Sequence, residues 1–277
     1  MVGDIMVHFD GSPEDEIRLE HAQAIASAGS THLIGIFTNL LPDLTVAMPM
    51  NGGGAIVQVL TELEARARQD GDAVARRLTE RLASLPMPAE LRRLDGTIGA
   101  LSGSVTAAAR CADLFVATRP YGQTDAPAWP DLVEDVLFGS GRALLLVPPG
   151  GHRQGHVERV LITWNGSREA ARALREGMSF IERATRTVVL VVDPEQGTEP
   201  WADVESHLLR HGVTAEVSKA ESDSRRVADL ILDEARAVSA DLIIMGGYGH
   251  TRIRERVFGG VTVDMLTESE KPILVAH

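Results

Sequence analysis

The sequence predicts an α/β protein made of two tandem doubly wound domains, each an open, mostly parallel five-stranded sheet with helices on both faces. Three observations lead there. The chain has 277 residues, enough for two domains of about 140 residues each. In each half, five strand-like runs alternate with helical patterns. Three short segments recur in the same order in the two halves.

The recurrences come first, because a repeat decides the architecture. Ile5-Met6-Val7 leads into Phe9-Asp10-Gly11-Ser12, as Val160-Leu161-Ile162 leads into Trp164-Asn165-Gly166-Ser167. Ala112-Asp113-Leu114 with Tyr121-Gly122 returns as Ala240-Asp241-Leu242 with Tyr248-Gly249. Ala143-Leu144-Leu145-Leu146-Val147-Pro148 is mirrored by Pro272-Ile273-Leu274-Val275-Ala276. The strands of the first half are expected near 4–9, 31–38, 89–95, 112–117 and 143–148, with helices near 13–28, 55–84, 100–110 and 130–138. The second half gives strands near 158–164, 187–192, 214–219, 241–246 and 272–276, and helices near 167–184, 200–211, 223–238 and 260–269. Val188-Val189-Leu190-Val191-Val192 is apolar throughout, as expected of a strand covered on both faces. Residues 150–156, rich in Gly and His, read as the linker between domains 1–149 and 157–277. The stretch 39–54 is a long loop without a counterpart in the second half.

Composition narrows the function. Apolar residues make up 44% and charged residues 24%, the balance of a globular protein. A net charge of −12 argues against general nucleic-acid binding and against docking on anionic lipid. An acidic chain still binds a nucleotide locally through backbone N–H groups and helix N-termini. No apolar run approaches the roughly 18 residues of a spanning helix, and no signal-peptide pattern opens the chain, so the expected location is the cytoplasm. The single Cys111 forms no disulfide within the chain and reads as a small core residue.

In a doubly wound sheet, ligands bind beyond the carboxyl ends of the strands where strand order reverses. That points to the ends of the first and fourth strands of each half. Asp10 ends the first strand, followed by Gly11 and by Ser12, Pro13 and Asp15, which read as a helix start. Asn165 takes the place of Asp10 in the second half. After the fourth strand, the second half runs Gly246-Gly247-Tyr248-Gly249, then His250 to Phe258, then Gly259-Gly260-Val261-Thr262. Glycines there let backbone approach a polyphosphate, and the helix after Gly260 offers its N-terminus to an anion. His250, Arg252, Arg254 and Arg256 read equally as phosphate screens or a solvated basic loop. His207 and His211 read as helix-end residues, since no third metal ligand is evident near them. Ser12 and Ser167 read as caps, and no nucleophile elbow is present.

The order Gly246-x-x-Gly249-x9-Gly259 resembles the nucleotide loop of the universal stress protein family, and nearly the whole chain is similar to a tandem member of it. The resemblance implies the adenine-nucleotide alpha-hydrolase-like fold. It implies ATP or ADP, with Mg2+ as companion ion, on Gly246, Gly249, His250, Gly259, Gly260 and Thr262, and the base near Asn165 and Val192. Two departures stand out: the family's Ser or Thr after the last glycine is Gly260, with Thr262 two residues later, and the family's Asp is Asn165. The first half keeps Asp10, and Gly139-Ser140 matches the end of the signature, but Thr118-Arg119-Pro120 replaces its opening glycine. Asp10, Gly139 and Ser140 are therefore the lesser candidates. The resemblance also implies that the halves pair through their last strands. It favours a regulator acting through conformation or partners, with at most slow ATP hydrolysis. A stress protein that works as a scaffold without nucleotide stays open beside it, as does further dimerisation.

Overall fold

The computed structural model describes residues 2–26, 31–42, 54–121, 129–150, 157–195, 197–249 and 260–277. The first half contains β1 (Asp4–Phe9), α1 (Glu14–Ala26), β2 (His32–Leu40), α2 (Gly54–Ala83), β3 (Ala89–Gly96), α3 (Ile98–Ala109), β4 (Leu114–Thr118), α4 (Pro130–Ser140) and β5 (Leu144–Val147). The second contains β6 (Arg159–Thr163), α5 (Arg168–Ile181), β7 (Arg186–Val192), α6 (Ala202–Arg210), β8 (Ala215–Ala220), α7 (Val227–Ala237), β9 (Leu242–Gly246), α8 (Val261–Glu268) and β10 (Ile273–Ala276).

These strands form one ten-stranded sheet in the order β3-β2-β1-β4-β5-β10-β9-β6-β7-β8. The order reads the same from either end once the halves are exchanged. All pairings are parallel except β5 with β10. There Leu145 lies opposite Leu274, Leu144 opposite Val275, and Leu146 opposite Ile273. Leu145 and Leu274 are counterparts in the repeat, so the joint has the self-complementary register of an isologous contact.

The apolar runs are covered on both faces. Ile5, Val7, Phe9, Leu145, Leu274 and Ile162 belong to one core layer, while Met6, Phe115, Leu144, Leu146, Ile273 and Val275 belong to the other. Both layers continue across the β5–β10 joint, where every strand residue is buried. Burying each such Leu or Ile fully contributes roughly 1.5–3 kcal/mol. The outer strands differ: β3 carries Glu90, Arg92, Arg93 and Asp95, as suits a sheet edge.

The echo around Asp113 and Asp241 has a structural cause. Asp113 Oδ2 accepts the N–H groups of Gly3 (2.7 Å) and Asp4 (3.1 Å). Asp241 Oδ2 accepts those of Glu158 (3.1 Å) and Arg159 (2.9 Å). Each aspartate clamps the start of its domain's first strand. Cys111 does not join the core: it is exposed, just past the C-cap of α3. Among the described residues, no helix is long and apolar enough to cross a membrane.

Candidate functional site

Strand order reverses between β1 and β4 in the first half, and between β6 and β9 in the second. Two equivalent crevices therefore open at the carboxyl ends of these strands. Their contents differ.

The first crevice is filled by the chain itself. Gly11 turns the backbone at φ +86°, placing Asp10 beneath the start of α1. Asp10 Oδ1 accepts from Ser12 Oγ (2.6 Å), Ser12 N (3.1 Å) and Arg18 Nη2 (2.6 Å). Its Oδ2 accepts from Trp129 Nε1 at 2.9 Å. Arg18, only 2% exposed, also donates to Asp15 Oδ1 at 2.5 Å. Asp15 in turn accepts the N–H groups of Asp10 and Gly11, each at 3.0 Å, which ties the turn before α1 to the first turn of the helix. Ser12 is thus spent on Asp10. The Trp129 ring meets His8 edge-on at 5.4 Å, and His8 Nε2 lies 2.8 Å from Thr38 Oγ1.

Electrostatics follow from this packing. Burial, helped by the Arg18 charge, pushes His8 down to about 3, so its ring is neutral. Burial works against charge on Asp10, yet the Arg18 guanidinium and its hydrogen bonds hold the carboxyl well below its ordinary range. Burial wins at Asp15, whose carboxyl is raised to about 6 in spite of Arg18. One guanidinium serves two carboxylates: burial opposes charge on both, and only at Asp10 do the partners outweigh it.

The sign for stability is then fixed. The folded chain holds a proton on Asp15 up to about pH 6, whereas the unfolded chain releases it near pH 3.8. Stability from this group is complete below the unfolded value and is lost as pH rises through the folded one. Between pH 4.5 and 7.5 the loss amounts to about 2 kcal/mol. Asp15→Asn removes the titration and keeps the shape. Denaturant unfolding of both proteins across that range is expected to give curves that converge at the acid end. Parallel curves would dismiss the assignment.

Among the described residues, the second crevice lacks the groups that fill the first; the counterpart of Trp129 is Phe258, which lies outside them. Asn165 is exposed, and its Oδ1 accepts only the local Ser167 N–H (3.1 Å) among the bonds described. Gly166 turns the chain at φ +72°. Ser167 caps α5 by accepting from Ala170 N at 3.1 Å. The counterpart of Arg18 is Ala173, which brings no charge. After β9, Gly247 N donates to Ala276 O (2.9 Å), Tyr248 adopts φ +54°, and Gly249 is exposed. Gly260 is the N-cap of α8, and among the described residues no side chain caps that end. The first N–H groups of α8 therefore stand at the mouth of the crevice, where an anion is favoured.

Gly246 has another task. A Cβ there would lie 2.5 Å from Ala170 N and 2.6 Å from Glu169 C, so the glycine lets α5 pack on β9. Thr262 is only 4% exposed, and its Oγ1 accepts the Tyr248 N–H at 3.0 Å. It secures the glycine turn instead of presenting a hydroxyl to the crevice. Glu169 is buried and lies 3.5 Å from where a Cβ on Gly249 would be. Burial opposes its charge, but its ion pair with Arg168 holds the carboxyl below its ordinary range. Val192 closes β7 beside the crevice, half-buried and in register with Ala220. His250 and Gly259, with Arg252, Arg254 and Arg256, lie outside the described residues.

Gly139 and Ser140 do not occupy the position expected of them. They end α4, with Gly141 as C-cap at φ +70°, and so lie at the far end of the helix from the crevice. Gly139 is small because a Cβ would meet Thr106 Cγ2 at 2.6 Å on the neighbouring α3. The residue at the crevice end of α4 is Trp129, its N-cap, followed by Pro130 in the first turn. Arg119, half-buried, joins the two halves. Its Nη1 donates to the carbonyls of Leu266 (3.3 Å) and Thr267 at the C-terminal end of α8. Sequence reasoning missed Arg18 and Trp129. The signals were a lone arginine among the apolar positions of α1, and a Trp-Pro pair at a helix start.

Comparisons with known proteins agree with this architecture. Residues 156–277 match the universal stress protein family. No curated protein matches the chain. Among solved structures, a universal stress protein from Archaeoglobus fulgidus DSM 4304 is 16% identical, with TM-score 0.71 over 99% of this chain and 97% of that one. A putative universal stress protein from Pseudomonas aeruginosa UCBPP-PA14 is 15% identical, with TM-score 0.61 over 99% and 93%. A universal stress protein solved in complex with cAMP is 21% identical and covers 44% of this chain and 98% of its own, with TM-score 0.39. The two full-length likenesses establish that both halves share this fold.

Proposed function

We propose, from the premise that residues 156–277 belong to the universal stress protein family, that the chain is a regulatory protein taking up one adenine nucleotide, ATP or ADP, in its second half. The observation that carries the reading is the inequality of the crevices. Asp10 is 4% exposed in its side chain and satisfied by Ser12, Arg18 and Trp129, while Asn165, Gly166 and Gly249 are exposed. Asn165 and the backbone near Val192 suit a base, since an amide both donates and accepts. The uncapped α8 N-terminus suits phosphates. Mg2+ enters as their counter-ion and offsets the nearby Glu169 carboxylate. We place the protein in the cytoplasm, signalling by shape or partners, with β5–β10 as an internal subunit contact.

A second reading has its own support. The inward Thr262 hydroxyl and the Glu169 carboxylate under the turn both weaken a phosphate site, which favours a scaffold that needs no nucleotide.

Thermal unfolding with and without millimolar Mg-ATP separates the two. At a free ligand concentration 100 times Kd, binding to the native state adds about 2.7 kcal/mol, so the midpoint rises. The rise is expected to vanish in Gly249→Val, where a Cβ makes only ordinary contacts. An unmoved midpoint in the wild-type chain would leave the scaffold reading standing.

A further inference from the structure

Helix α4 touches both crevices. Its N-cap, Trp129, closes the first on Asp10 at 2.9 Å and on the His8 ring. Its later turns clasp the glycine turn of the second half. Glu134, 5% exposed, accepts from Tyr121 Oη at 2.7 Å, and its same oxygen faces Tyr248 Oη at 3.5 Å. Tyr121 and Tyr248 are repeat counterparts, so the two fourth-strand ends converge on one carboxylate. Phe138 lies 5.2 Å from the Tyr248 ring and 4.6 Å from the His277 ring. His277 Nδ1 is 3.1 Å from Gly247 O. A Cβ on Gly247 would come within 3.6 Å of Leu137.

The chemistry of the turn makes these contacts responsive. Tyr248 sits at φ +54°, a conformation that a bulky residue adopts only when held. Thr262 holds its N–H, Phe138 its ring, and Glu134 faces its hydroxyl. An anion drawn to the α8 N-terminus arrives beside this turn. Any displacement of Tyr248 presses on the middle of α4, an 11-residue helix. A helix of that length spans about 16 Å as one stiff element, and its other end carries the indole that seals Asp10.

We propose that α4 is a mechanical link: occupation of the second crevice moves Tyr248, and α4 passes that motion to Trp129, loosening the seal on Asp10 and Arg18. The input of this link rests on the nucleotide reading above, whereas the link itself rests only on the contacts of α4. The first crevice then serves as the output of the protein, and the second as its input.

The test uses the full chain labelled with 5-fluorotryptophan. Its three tryptophans give three 19F resonances, and Trp129→Phe identifies the one that matters. ATP binding is measured separately by equilibrium dialysis. The expected result is a Trp129 shift that saturates with the Kd found by dialysis. In Glu134→Gln/Phe138→Leu the shift is lost while ATP still binds. By reciprocity, Trp129→Phe changes ATP affinity by at least about fivefold, the low end of ordinary coupling. ATP bound in dialysis with a motionless Trp129 resonance overturns the link. If dialysis finds no ATP bound, the nucleotide reading fails, and the link is judged on Tyr248→Leu without ligand. A moved Trp129 resonance then upholds it, and an unmoved one overturns it.

Discussion

Arg18→Met is expected to lower the unfolding free energy by about 3–5 kcal/mol at pH 7.5, the usual cost of removing one partner from a buried ion pair. Methionine preserves most of the volume, so the loss is electrostatic. Arg18 bridges Asp10 at 2.6 Å and Asp15 at 2.5 Å, and both carboxylates are at most 8% exposed. Without the guanidinium, each must take a proton or remain charged in a dry site. The defect should therefore shrink toward pH 4.5, where protonation is easy. A second variant isolates the cause: adding Asp10→Asn and Asp15→Asn to Arg18→Met should recover much of the loss at pH 7.5. Denaturant titrations of the three proteins at both pH values decide it. A penalty that is the same at pH 4.5 and 7.5 would point to packing instead of charge.

Gly246→Val is expected to cost about 3 kcal/mol or more, at the upper end for overpacking, because the obstacle is backbone. The nearest atoms to a new Cβ are Ala170 N and Glu169 C, which belong to the first turn of α5 and have no rotamer to give. Gly249→Val is expected to leave stability nearly unchanged. The two glycines of one motif are thus separated by measurement. Gly246 is required by the packing of α5 on β9, whereas a side chain at Gly249 meets only ordinary contacts. Equal destabilisation by both substitutions would refute that division.

Much of the architecture was legible because it rests on local patterns. Continuous runs such as Val188–Val192 mark strands covered on both faces. The repeat of Ala143–Val147 as Pro272–Ala276 marks equivalent last strands. The site was legible only in outline. Strand order puts the ends of β6 and β9, followed by Asn165 and Gly249, beside the point of reversal, and Gly260 is the N-cap of α8. Gly139-Ser140 misled, because a Gly-Ser pair looks the same before a helix and at its end. The helix expected near 130–138, opened by Pro130, already put Gly139 at its end, so the motif match was at odds with the helix read from the same residues. Arg18 and Trp129 were marked as unusual by their local setting, but not by what they touch. Their roles depend on contacts with Asp10 across 8 and 119 positions, which no local pattern encodes.

The β5–β10 register carries a consequence for what each half is free to become. Two identical subunits meeting across such an axis would have to display every residue twice. A glutamate at the position of Glu134 would then face its own copy, and both tyrosines would be contested by two negative charges. In this chain the counterpart of Glu134 is Val263, and the counterpart of Arg18 is Ala173. Joining the halves in one polypeptide lifts the requirement of sameness. One side can specialise as lock and the other as keyhole, with a single carboxylate between them that no symmetric pair could own.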